Sequence, residues 1–61
     1  MDRRFIIEIT VGNLPDHTDI AKIQSAMAQE VHDAAARALC NNLYHGLRDI
    51  DLSVHVSSQD L

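Results

Sequence analysis

The sequence predicts an α/β fold: a minimal β-α-β two-layer sandwich, one long helix on a small sheet, with an α+β arrangement of the same elements as the alternative. Three observations carry it. Apolar and polar residues alternate near the amino-terminal end, they alternate again near the carboxy-terminal end, and the stretch between is rich in alanine and free of glycine and proline. Residues 1–61 read as a single β-α-β domain, because a chain this short has room for one core and buries only about 60% of the surface its unfolded form exposes.

In residues 4–11, Phe5, Ile7, Ile9 and Val11 fall on one side and Arg4, Ile6, Glu8 and Thr10 on the other. That period of two, with its β-branched content, predicts a strand with one wet face. Gly12, Asn13, Leu14, Pro15 and Asp16 supply a turn, since Pro15 removes a backbone donor and sits comfortably just ahead of a helix. Asp16 or Thr18 is the expected helix cap, and Asp19 adds negative charge where the helix dipole favours it.

From about residue 18 to about residue 41 the chain holds seven alanines and neither glycine nor proline, a strongly helical composition. With about 100° per residue counted from Ile20, the side chains of Ile20, Ile23, Met27, Val31, Ala34 and Ala38 gather within about 60° of one line, the expected core face. Asn41 and Asn42 weaken the helix and Gly46 offers a left-handed residue, so the predicted end lies between them. A second strand follows, with Ile50, Leu52, Val54 and Val56 on its dry side and Asp51, Ser53, His55 and Ser57 opposite. Strand, helix and strand in this order predict a right-handed parallel crossover, provided the strands are neighbours in one sheet.

Charge and composition narrow the function classes. Nine acidic residues against five basic ones leave a net charge of −4, and Arg3, Arg4, Lys22, Arg37 and Arg48 are spread along the chain. Nucleic-acid binding draws on clustered Lys and Arg that release counterions, so direct DNA or RNA binding is not expected. Glu8 interrupts the first apolar run, no stretch approaches the roughly 20 apolar residues that span a bilayer, and Cys40 is a lone thiol. These features predict a cytoplasmic protein with no membrane partner and no internal disulfide.

No catalytic residue, cofactor or metal site is expected. His17, His32, His45 and His55 lack the three- or four-residue spacing of a helical zinc pair, and Cys40 with His45 gives at most two ligands. Ser25, Ser53, Ser57 and Ser58 stand outside any glycine-bracketed nucleophile elbow, and there is no glycine-rich phosphate loop. Glu8 and His55 are expected to meet across the wet face of the sheet, where no desolvated pocket would tune them for acid–base work.

The helix carries a second apolar stripe. Ala28, Ala35, Leu39 and Leu43, with His32 among them and Ala36 beside them, lie about 60–160° round from Ile20. Its steps of three and four suit the groove of another helix, and its alanines allow close approach, so these six residues are the candidate protein interface. The other use of the stripe is structural, as a flank wrapped by the chain's own sheet and loops.

Ile7, Glu8, Ile9, Thr10 and Val11, then Leu14-Pro15 opening an alanine-rich helix, then Leu52, Ser53, Val54, His55 and Val56, resemble the DinI-like damage-inducible proteins of enterobacteria and their phages. The resemblance implies an α/β fold and a small protein modulator. The chromosomal type engages the RecA filament through an acidic C-terminal helix, whereas residues 57–61 here hold a single acid, Asp60. Related prophage proteins act as antirepressors. The resemblance therefore implies a non-enzymatic inhibitor that binds a DNA-binding phage or prophage repressor and keeps it from its operator. RecA is the alternative partner, and a small homo-oligomeric assembly protein, with a homodimer as its simplest form, is the other reading.

Overall fold

The computed structural model describes all of residues 1–61 and contains one regular element, the helix α1, Ile20–Asn42. Its start is set by Asp19, whose side chain accepts the backbone N–H of Lys22 at 3.1 Å. The cap is therefore Asp19, in place of Asp16 or Thr18. Thr18 is already engaged, since its hydroxyl donates to the carbonyl of Pro15 at 2.6 Å and closes the preceding turn. At the other end, Asn42 Nδ2 donates to the carbonyl of Ala38 at 2.7 Å and Leu43 N–H to that of Leu39 at 2.9 Å, which satisfies two of the last carbonyls.

Beyond the helix the chain reverses through backbone bonds from Gly46 to Leu43, Arg48 to His45 and Ile50 to Leu47. Gly46 and Asp49 both take positive φ, 63° each, and these left-handed residues send the chain back over the helix. Residues 50–58 then return toward the start of α1. There Gln24 Nε2 donates to the carbonyl of Val56 at 2.8 Å, and Ser58 Oγ donates to Gln24 Oε1 at 3.0 Å. The amino-terminal segment starts beside the far end of the helix, where Phe5 shares a hollow with Leu39, Leu43 and Leu52. Residues 6–19 must span the helix length, about 34 Å for 23 residues, which extended chain reaches with room to spare.

The β-α-β sandwich is overturned. No strand forms: of 25 backbone–backbone hydrogen bonds, 19 lie within the helix and the other six close turns or caps, so none joins residues 4–11 to residues 50–57. With no sheet there is neither a parallel α/β crossover nor an α+β arrangement. The physical reason lies in cover. Parallel sheets persist when both faces are covered and a two-stranded pair is marginal in water, while this chain supplies one helix, enough for one face.

The covered face of the helix also differs from the expected one. Ile23, Met27 and Val31 are half-buried, but Ile20, Ala34 and Ala38 are exposed, while Ala28, Ala35 and Leu39 of the second stripe are half-buried. The sheltered line has turned by about 40° toward the second stripe, under Leu52, Val54 and Val56, which are half-buried in return. None of the 61 residues is fully buried. The molecule measures 45 × 18 × 15 Å, with a radius of gyration of 14.4 Å against about 10–11 Å for a compact domain of this length. No helix is long and apolar enough to cross a membrane.

Candidate functional site

The six residues of the predicted interface divide by cover. Ala28, Ala35, Ala36 and Leu39 are half-buried, His32 is exposed, and Leu43 is 38% exposed. Val54 faces one shallow hollow with Ser25, Ala28, Gln29 and His32, and Leu52 faces a second with Leu39, Leu43 and Phe5. The carboxy-terminal segment thus runs along the stripe, shelters its alanines and leaves His32 and Leu43 at the margins. The stripe serves partly as a flank and stays partly open.

A larger open surface lies where the sequence predicts a core strand. Phe5 is 79% exposed, Ile6 85%, Ile7 68%, Ile9 60% and Val11 51%. Isolated exposed apolar residues are ordinary, but five within seven consecutive positions concentrate apolar surface in one segment, as interaction surfaces do. Residues 1–14 also take part in no backbone–backbone hydrogen bond, so they present free N–H and C=O groups beside those side chains. The alternation is visible in the sequence, and what pattern alone misses is supply: one helix cannot cover two apolar segments and remain covered itself.

The polar groups are scattered. No hydrogen bond or ion pair joins Glu8 to His55, and the expected cross-strand meeting fails with the sheet that would have brought them together. Asp33 Oδ1 lies 3.7 Å from His32 Nδ1, both about half exposed. Tyr44 and His45 meet edge to face with ring centroids 4.8 Å apart at the helix exit. Cys40 is exposed, and no three His, Cys, Asp or Glu side chains converge as metal ligands. What the arrangement offers chemically is apolar contact and main-chain hydrogen bonding.

Compared with protein-family models, curated proteins and solved structures, the chain gives no match in any of the three.

Proposed function

We propose that this chain is a small non-enzymatic protein inhibitor of the antirepressor kind, which binds a phage or prophage repressor and prevents operator binding. The observation that carries the reading is the open margin of the helix stripe, where His32 and Leu43 stay exposed on the same side of α1 as the half-buried Ala36 and Leu39, on a molecule with no sealed core. Such a molecule gains from a partner what it lacks alone, since each Å² of apolar surface removed from water contributes about 25 cal/mol. The resemblance to DinI-like proteins supports a protein target, and the net charge of −4 favours approach to the basic, DNA-facing surface of a repressor.

The mechanism is a shift of population. A repressor exchanges between states that hold the operator and states that do not, and an inhibitor docking only on the latter withdraws protein from DNA by its differential affinity. Moving that balance from 1:99 to 99:1 takes roughly a 10⁴-fold preference between the states. The test is titration of the chain into a purified repressor on labelled operator DNA, read by gel shift. Release near equimolar inhibitor is expected, with Leu43→Asp needing at least tenfold more protein. A repressor that stays on its operator under excess inhibitor overturns the reading.

A further inference from the structure

We propose that residues 1–11 of two copies of this chain pair antiparallel about a two-fold axis at Ile6, joining the backbone edges that each copy leaves open and setting the exposed apolar side chains of one beside those of the other. The first argument is area. The chain exposes 6130 Å², whereas a folded monomer of 6.8 kDa exposes about 4,000 Å². The surplus of about 2,100 Å² per copy is spread along the whole chain, and the five open apolar side chains between Phe5 and Val11 are its densest stretch.

The second argument is which surface is free. Residues 50–58 are already docked, with Leu52, Val54 and Val56 half-buried and the Val56 carbonyl held by Gln24. Residues 4–11 have Phe5, Ile6, Ile7, Ile9 and Val11 open and no backbone partner, so they are the edge a second chain can join by main-chain hydrogen bonds.

Charge then selects the occupant and the register. The whole chain carries −4, so two copies repel, yet residues 1–11 hold Asp2 and Glu8 against Arg3 and Arg4 and are balanced. Copies therefore meet at least electrostatic cost through this segment. Centred on Ile6, the antiparallel register sets Arg4 opposite Glu8 of the second copy and Glu8 opposite its Arg4, with Ile6 against Ile6 between them. On the other face Phe5 stands opposite Ile7 of the second copy, and Arg3 lays its aliphatic stem along Ile9. Moving the centre to Ile7 places Glu8 opposite Ile6 and Arg4 opposite Thr10, which loses both ion pairs.

The test is the mass of the intact chain in solution, by sedimentation equilibrium, together with charge reversals. The expected mass is twice 6.8 kDa. Arg4→Glu sets carboxylate against carboxylate at both crossings and Glu8→Arg sets guanidinium against guanidinium, so each alone weakens association by roughly ten- to a hundredfold. The double variant restores it, and an equimolar mixture of the two single variants forms the heterodimer. A parent still monomeric at about 100 µM overturns the proposal. So does a dimer indifferent to both reversals, or a double variant that fails to recover. Release of repressor by a monomeric Arg4→Glu variant would leave the antirepressor reading standing by itself, because that reading uses the helix margin.

Discussion

The two ends of this chain carry the same alternating pattern and meet different fates. Residues 50–57 lie along the helix with Leu52, Val54 and Val56 half-buried, whereas in residues 4–11 the exposure of the apolar side chains ranges from 51% at Val11 to 85% at Ile6. The difference is in the tethers. The carboxy-terminal segment leaves α1 through three short-range turn bonds, and Gln24 then holds it at the opposite end of the helix. The amino-terminal segment has a turn at Pro15–Thr18 and no bond further along. Alternation equips a segment to pack, and anchors at both ends decide whether it does.

The strongest challenge to this comparison is Val31→Asp, which places a charge in the sheltered line that both the helix and the returning segment share. A loss of about 3 kcal/mol is expected, seen as collapse of helical circular dichroism at ambient temperature. An unchanged spectrum would mean that the docked segment contributes little. Next is Gln24→Ala, which removes both bonds to residues 56 and 58 and costs about 1.5 kcal/mol. Amide exchange should rise at residues 51–58 and stay unchanged at residues 1–11; equal acceleration at both ends would show that the anchor is not what separates them.

The finest discrimination compares two truncations in the chain held monomeric by dilution. Val54→Ala is expected to cost about 1 kcal/mol and Phe5→Ala no more than about 0.3 kcal/mol, although phenylalanine loses the larger side chain. Urea titration followed by helical signal measures both. Equal costs would place Phe5 in the same sheltered environment as Val54.

Much of the helix was legible in the residues. Seven alanines without glycine or proline locate it, Asn41 and Asn42 locate its end, and Asp19 was placed at its start, though as a neighbour of the cap. The candidate interface was half legible: the stripe through Ala28, Ala35 and Leu39 is apolar as read, but the returning segment shelters it. The surface at Phe5 to Val11 was missed because period two describes a segment able to be buried and is silent on whether anything arrives to bury it.

By itself, the sequence determined the features that neighbouring residues settle among themselves: the body of α1 and the turns at Pro15 and Gly46, with the cap falling at Asp19 one residue from an expected one. These depend on backbone propensity and on bonds spanning three or four residues. Only the tertiary structure decided that the two alternating segments do not pair, that the sheltered face turns toward Leu39, and that Phe5 and Ile6 stay open. Those outcomes depend on contacts more than 30 residues apart, as between Gln24 and Val56, where several apolar surfaces compete for the cover one helix can give.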